Sequence, residues 1–190
     1  IKNLKGMVDA AKANPGKIKV ATEYGAFTYF MLVKLQRDLG IKLNMIDVGS
    51  DSEKVTAMLG GFIDLMPKST LGTADYVKNG DMLPLGVMQE KRPSNAAEIP
   101  TFGEQGIKFT YPAYPFTMFF PKGTPADAQA KFDKVAKEVA ADPDFQKDLI
   151  KVGVVARYRS PAEASKNFDA IKAELSELAK LKMEVGKGSK

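Results

Sequence analysis

Short apolar runs alternate with amphipathic stretches along the first half of the chain, and this alternation constrains the fold more than any other feature of the sequence. Apolar residues spaced three and four positions apart indicate helices, and the short continuous runs between them are typical of buried strands. Strands that alternate with helices form a parallel or mixed sheet flanked by helices, so we predict an α/β fold. The predicted order is helix 3–14, strand 17–22, helix 27–39, strand 43–48, helix 50–60, strand 62–66, helix 69–79 and strand 82–88.

Local signals define the ends of these helices. Ser50 and Glu53 have the spacing of a capping box, in which each side chain accepts a hydrogen bond from the other residue's backbone N–H. Gly40 follows the second helix at the position where a left-handed residue closes a helix. We therefore predict short loops between each strand and the next helix.

The character of the chain changes near residue 112. The segment 111–115 contains two prolines, each of which biases the preceding residue away from helix, so we predict an extended crossing there. We accordingly divide the chain into residues 1–112 and 113–190. The apolar run 116–120 is predicted as a strand with apolar residues on both faces. An unpaired strand of this kind favours self-association, and pairing with a second copy of the chain is the expected outcome.

Three helices are predicted after this strand, each opened by a capping residue followed by a proline at the first helical position. We also predict a short helix at 101–105, a strand at 152–158 and a frayed tail at 186–190. The three helix starts are Thr124-Pro125, Asp142-Pro143 and Ser160-Pro161.

The chain contains no histidine and no cysteine, which excludes many kinds of active site. Serine–histidine triads, nearly all catalytic zinc sites, disulfides and thiol nucleophiles are ruled out. Phosphate-loop and calcium-loop motifs are also missing from the sequence. We interpret Asp47, Asp51 and Asp64 as helix-cap and turn carboxylates. The sequence therefore predicts a protein that is not an enzyme and holds no cofactor or metal.

The formal net charge of +5 is compatible with nucleic acid, anionic lipid or a small anionic ligand as partner. Nucleic-acid binders usually carry a clustered, arginine-rich basic stripe, whereas this chain has four dispersed arginines, so we favour a solvated lysine-rich surface. No apolar run approaches the roughly 18 residues that a transmembrane helix needs. The chain opens at Ile1 without a leader, and we interpret it as a processed or truncated product.

Polar and glycine residues follow three predicted strands, at the edge of the sheet where ligands bind in open α/β folds. Each loop leads into a helix N-terminus, whose unpaired N–H groups and positive dipole end suit an anion. Each serine or threonine, taken alone, is more commonly a plain N-cap. Together the three loops favour a small anionic ligand. The candidate residues are Thr22, Tyr24, Gly25, Ala26, Phe27, Thr28, Gly49, Ser50 and Ser69, with Lys68 as a cation and Thr70 as a further donor.

Several segments, in order along most of the chain, carry a resemblance to a known family. The most specific is 99–106, Ile-Pro-Thr-Phe-Gly-Glu-Gln-Gly, and the others are 14–17, 58–64, 77–80 and 121–125. They resemble the second lobe of the tripartite tricarboxylate transporter solute-binding receptors, the Bug or TctC family. The resemblance implies a type II periplasmic-binding-protein-like fold, with two lobes that close on a small carboxylate and deliver it to a membrane permease. Residues 1–112 would then form lobe two, and 113–190 would be the returning segment of lobe one, whose N-terminal part is lacking.

The loop after the first strand departs from the family pattern by having fewer glycines and more aromatic residues. This departure is compatible with an aromatic or larger carboxylate. Our interpretation is a periplasmic receptor in which the N–H groups of residues 24–28 and the Thr28 side chain hold a carboxylate. Ser50 and Ser69 would add donors, and Tyr24 would form a wall. Two alternatives remain open at this point: the effector-sensing domain of a transcription regulator and, ranked last, a small-molecule enzyme that uses Lys or Asp.

Overall fold

The computed structural model describes residues 1–111, 116–151, 154, 156–181 and 183–187. The chain divides into two compact units, Ile1–Pro112 with Ser176–Lys190 and Ala113–Leu175. The residues 176–190 thus group with the first unit rather than with the segment that precedes them. The assignment of residues 1–112 and 113–190 to two lobes stays a prediction.

The first unit alternates strands and helices as predicted, and the α/β class is confirmed. Helix α2 ends at Gly40, which adopts the predicted left-handed conformation (φ 60°), and α3 begins with the predicted capping box. The elements are α1 Leu4–Ala13, β1 Lys19–Thr22, α2 Phe27–Leu39, β2 Asn44–Asp47, α3 Asp51–Leu59, α4 Ala74–Lys78 and β3 Gly186–Lys187, with 3₁₀ turns at Leu71–Thr73, Ser94–Ala96 and Gly103–Gln105.

The strands form a parallel sheet in the order β1-β2-β3. In the register of β1 and β2, Val20 pairs with Met45 and Thr22 with Asp47. The strand side chains Val20, Ala21 and Met45 are almost completely buried. Burial of a valine or methionine side chain stabilises a fold by about 1.5–3 kcal/mol, so packing contributes strongly to the stability of this short sheet.

The predicted strand 62–66 is wrong as an element, because this segment meets β1 at a single bridge between Val20 and Leu65. The Asp64 side chain provides the physical reason. Its Oδ2 accepts the backbone N–H of Lys19 at 2.8 Å, in place of a backbone carbonyl. A carboxylate in the ladder ends the regular backbone pairing, although the Ala21 N–H still donates to the Leu65 carbonyl at 2.9 Å.

The predicted strand 82–88 is also wrong as an element, since it forms only a bridge between Val87 and Thr101. Pro84 lacks an N–H group for a ladder, and Gly86 has a φ of 157°. The Gly86 site is also crowded, because an added Cβ would lie 2.6 Å from the Gln105 Nε2 atom. The predicted helix at 101–105 is present as the 3₁₀ turn Gly103–Gln105.

The C-terminal residues 186 and 187 belong to the sheet of the first unit. Gly186–Lys187 forms β3, which pairs in parallel with β2 through Ile46 and Asp47. Upstream of β3, the Tyr29 hydroxyl donates to the Met183 carbonyl at 3.3 Å. The prediction of a frayed tail is therefore wrong at residues 186 and 187, and residues 188–190 lie outside the described part of the chain.

The second unit contains the three predicted helices, α5 Ala126–Ala141, α6 Pro143–Lys151 and α7 Pro161–Ala179, whose last turn belongs to the first unit. Two of the three helix starts are confirmed. Asp142 Oδ1 accepts the Phe145 N–H at 2.8 Å, and Ser160 and Glu163 form a reciprocal capping pair. The third is wrong, because Pro125 itself is the N-cap of α5 and the Thr124 hydroxyl donates to the Pro121 carbonyl.

The predicted strand 116–120 is wrong, since these residues form no regular element and are largely exposed. Strand pairing needs a neighbour, and the described residues of this unit offer none. Instead, Phe119 and Phe120 contact Phe168 and Phe132 edge to face, with ring centroids 5.4 and 5.3 Å apart. Of the predicted strand 152–158, residues 152, 153 and 155 lie outside the described residues, and the remainder is irregular. No helix of the described ranges is long and apolar enough to cross a membrane.

We predict that Leu178→Ala unfolds the first unit at a lower denaturant concentration. Leu178 is fully buried at the end of α7, and removing a buried leucine costs about 2–5 kcal/mol. Leu181→Ala, three residues later and half exposed, is the matched control and should cost much less. Urea unfolding followed by circular dichroism measures both. Equal effects of the two substitutions would show that the end of α7 does not contribute to the core.

We also predict that the 190-residue chain self-associates and binds an apolar dye through the second unit. Met118 and Phe119 are 72% and 69% exposed, and exposed apolar patches of this kind mark contact surfaces. The double substitution Met118→Ser with Phe119→Ser should reduce both dye fluorescence and apparent mass. Light scattering after size exclusion measures the mass, and Lys131→Ser with Lys134→Ser is the control pair. A wild-type chain that elutes as a monomer without binding dye would contradict the prediction.

Candidate functional site

The parallel register places two candidate loops side by side at the carboxyl edge of the sheet. Thr22 and Asp47, the last residues of β1 and β2, are direct partners. The Asp47 carboxylate accepts the Tyr24 N–H at 3.4 Å through Oδ2 and the Gly49 N–H at 3.3 Å through Oδ1. One carboxylate therefore joins the loop before α2 to the loop before α3.

No side chain in the described part of the chain caps the N-terminus of α2. Ala26 occupies the N-cap position in an extended conformation, and no acidic residue lies in the first turn. Gly25 precedes it with a φ of 78°, a conformation that favours glycine. The positive end of the helix dipole is therefore not neutralised by the helix's own side chains, which is the arrangement that suits an anion.

Two threonine hydroxyls beside this helix start are buried without a hydrogen bond. Within the described residues, neither Thr22 Oγ1 nor Thr28 Oγ1 has a partner. Thr22 is completely buried. A buried hydroxyl without a partner costs about 1–3 kcal/mol, so such groups normally have one. Both hydroxyls flank the loop 23–26. Among the described contacts of the three candidate loops, these are the buried side-chain groups that still need a hydrogen-bond partner.

The N-terminus of α3 differs, because its own residues already satisfy it. The Ser50 hydroxyl and the Ser50 N–H both donate to Glu53 Oε2 at 2.7 Å. Asp51 and Glu53 add two negative charges to the first turn. Ser50 is thus a helix cap, and the structure places it beside the site with both donors engaged.

The third candidate loop makes local turns. Ser69 Oγ accepts the Gly72 N–H at 3.2 Å, and Thr70 Oγ1 accepts the Asn95 amide at 3.1 Å. Lys68, the cation predicted for the site, donates to Asp51 Oδ2 at 2.9 Å. This hydrogen bond is the largest influence on Asp51 and holds the pKa of its carboxyl below the ordinary value.

Sequence reasoning missed Lys54, whose ammonium group lies at the same edge. Its Nζ is 4.0 Å from Glu23 Oε2, in the loop before α2, and 3.7 Å from Asp51 Oδ1. Only one signal in the sequence points to it. A lysine close to a helix N-terminus opposes the helix dipole, so its presence in α3 requires an explanation beyond helix stability.

Aromatic side chains surround the start of α2. Tyr24 is 67% exposed, and its ring centroid lies 5.1 Å from that of buried Tyr29. Burial, and after it the neighbouring Tyr24, raises the pKa of the Tyr29 phenol, so this hydroxyl stays protonated at neutral pH. Phe27 contacts Tyr111 edge to face at 4.8 Å. Tyr24 therefore offers an open aromatic face, while Phe27 is partly occupied within the unit.

Acidic side chains that could hold a metal do not come together in groups of three or more in the described ranges. The carboxylates at this edge accept backbone N–H groups or pair with lysines. The interpretation of Asp47 and Asp51 as a turn and a helix-start carboxylate agrees with these contacts.

Comparison with known proteins places the chain in one family. The model of the tripartite tricarboxylate transporter family receptors matches residues 1–179. A curated relative, the UPF0065 protein in the gbd 5′ region of Cupriavidus necator, is 27% identical over 183 residues. The alignment covers 95% of this chain and 55% of the relative, so the chain spans about half the length of the curated relatives it matches.

Solved structures with the same fold include a periplasmic binding protein and two proteins with bound carboxylates. The R. palustris protein Rpa4515 with adipate superimposes with a TM-score of 0.80 at 17% identity, over 95% of this chain and 60% of that one. The periplasmic binding protein BugD gives 0.67 at 24% identity, over 95% and 60%. MatC from Rhodopseudomonas palustris with bound malate gives 0.68 at 18% identity, over 93% and 60%. The predicted periplasmic-binding-protein-like fold is thereby confirmed.

We predict that Lys68→Gln raises the pKa of Asp51, because the hydrogen bond from Lys68 is what chiefly lowers it. A carboxyl group whose pKa is lowered by folding stabilises the protein above its unfolded pKa, and this contribution is lost as the pH falls through the folded pKa. The variant should therefore lose stability at neutral pH but differ little from the wild type well below pH 4. Carboxyl titration by NMR measures the pKa, and an unchanged Asp51 value would contradict the pairing.

Proposed function

We propose a carrier role for this chain, which belongs to the tripartite tricarboxylate transporter receptor family. In this role it captures a small organic carboxylate in the periplasm and passes it to a membrane permease, without catalysing a reaction. The family assignment favours this function over a regulator's sensing domain or an enzyme. Residues 1–112 would be one lobe of the receptor, and 113–190 would be the returning part of the other.

The observation that carries the proposal is a pair of buried hydroxyls that have no partner among the described residues, beside a start of α2 that no described side chain caps. A carboxylate oxygen there would accept hydrogen bonds from Thr22 and Thr28, and its charge would complement the helix dipole. In the loop itself, the Tyr24 N–H already donates to Asp47 and the Ala26 N–H to the Glu23 carbonyl. We therefore assign the backbone contacts to Gly25 and Thr28.

The other predicted site residues take lesser roles in this proposal. Gly49 and Ser50 would border the site through the loop that Asp47 holds, and the capping and turn contacts of Ser50 and Ser69 limit what the two serines could donate. Tyr24 forms the wall, since its ring is exposed and supported by Tyr29. An open aromatic wall supports a ligand with a flat or extended body, such as an aromatic carboxylate or a longer aliphatic one.

The first test is a ligand panel on the full-length protein, with adipate, malate, benzoate and neutral sugars. A carboxylate at 100 times its Kd should stabilise the protein by about 2.7 kcal/mol. Thermal unfolding measures the stabilisation, and calorimetry gives the Kd. If only sugars raise the unfolding temperature, the proposed function is wrong.

The second test separates ligand binding from folding at the threonines. We predict that Thr22→Val and Thr28→Val leave the unliganded protein equally or more stable, because each removes a buried hydroxyl that has no partner in the described residues. Each variant should nevertheless bind the carboxylate roughly 10- to 150-fold more weakly, as the loss of one hydrogen bond to a charged group implies.

Thr101→Val is the matched control. Thr101 is also buried, but its Oγ1 accepts the Glu104 N–H at 3.0 Å. The control should lose about 1 kcal/mol of stability and keep its ligand affinity. The opposite pattern, with stability lost at Thr22 and Thr28 and affinity unchanged, would overturn the assignment of the carboxylate to this helix start.

A further inference from the structure

Lys54 carries a charge that is almost removed from water. Its side chain is 6% exposed, although it lies on a short helix at the rim of the sheet. A buried ammonium group is costly unless it is both paired with an opposite charge and hydrogen-bonded. The contacts of Lys54 within the protein therefore show whether its ammonium group has both an opposite charge and a hydrogen-bond acceptor.

The described contacts of Lys54 supply opposite charges but no hydrogen bond of normal length. The two ion pairs of Lys54, at 3.7 Å to Asp51 and 4.0 Å to Glu23, are longer than the 2.7–2.9 Å of a charged hydrogen bond. Lys68 donates to the other oxygen of the same carboxylate, Asp51 Oδ2, at 2.9 Å. Asp51 and Glu23 are themselves 70% and 59% exposed, so water competes for both. In the described part of the chain, the Lys54 ammonium makes no hydrogen bond of normal length.

The position of this ammonium group relates it to the proposed site. Glu23, its loop neighbour, directly follows Thr22 and opens the loop that leads to the uncapped N-terminus of α2. The unpaired threonine hydroxyls belong to the same loop and helix start. A buried cation with only long ion pairs thus occurs at the same edge of the sheet as a helix start and two buried hydroxyls that have no side-chain cap or hydrogen-bond partner among the described residues.

We infer that Lys54 binds the carboxylate of the ligand and is the residue that makes the site select an anion over its neutral analogue. This inference rests on the proposed function and names the selecting group. The ammonium donates to a carboxylate oxygen, and Glu23 competes with the ligand for it. An amide of the same shape offers a neutral oxygen and adds an N–H₂ donor facing the ammonium. The site therefore takes acids and rejects the corresponding amides.

The experiment compares two lysines that lie at the same edge. Lys54→Gln and Lys68→Gln each remove one buried positive charge beside Asp51 in the full-length protein. Calorimetry with adipate and benzoate, and with adipamide and benzamide, gives the preference of each variant for acid over amide. Lys54→Gln should bind the acids roughly 10- to 100-fold more weakly and lose most of that preference. Lys68→Gln frees the Asp51 carboxylate to pair with Lys54, so it should weaken acid binding less than Lys54→Gln does and keep a preference for acid over amide.

Glu23→Gln provides a second variant, at a side chain that is 59% exposed. Removing the competing carboxylate should tighten acid binding several-fold while leaving amide binding unchanged. Unchanged or weaker acid binding in this variant overturns the inference, and so does a Lys54→Gln variant with wild-type preference. If the wild-type protein binds no acid at all, the proposed function itself fails, so the two failures are distinguishable.

Discussion

The parallel pairing of β1 with β2 is the constraint on which the rest of the first unit depends. Parallel strands end at the same edge, so the register that sets Thr22 opposite Asp47 also brings the two following loops together. The Asp47 carboxylate then fixes both loops by accepting one N–H from each. A shift of one residue would turn the buried side chains outward and separate these contacts at the same time. Core and site are therefore specified by one register.

The helix starts at this edge show how neighbouring sequences create different electrostatic environments. Ser50 and Glu53 form a capping box at the N-terminus of α3. The negative charge of Glu53 therefore already complements the positive end of this helix dipole. Among the described residues, no side chain caps the N-terminus of α2. Because a ligand anion gains most where the protein supplies no competing acceptor, the chemical asymmetry between two adjacent loops is what directs the carboxylate to α2 in our proposal.

Much of this could be predicted from the sequence, because the signals are local. Helix periodicity, Gly40 and the Ser50–Glu53 spacing depend on residues within one turn, and the structure confirms all of them. The errors concern pairing over longer distances. Asp64 replaces a ladder carbonyl, and residues 116–120 lack a neighbouring strand, which apolar composition alone cannot reveal. The position of β3 beside β2 likewise depends on residues about 140 apart in sequence, where no local pattern acts.

The same distinction between local and long-range contacts applies to the candidate site. The candidate hydroxyls were found because they follow strands, but which of them is already satisfied depends on side chains from elsewhere in the fold. Asn95 reaches Thr70 from 25 residues away, and Lys68 reaches Asp51 from 17. The sequence predicts Lys68 as the cation because it stands in a loop, but the Lys68 ammonium group donates to Asp51. That commitment leaves Lys54 with distant carboxylates and a buried charge. In our inference, Asp51 pairs more closely with Lys68 than with Lys54, and this difference leaves the Lys54 ammonium group for a ligand carboxylate.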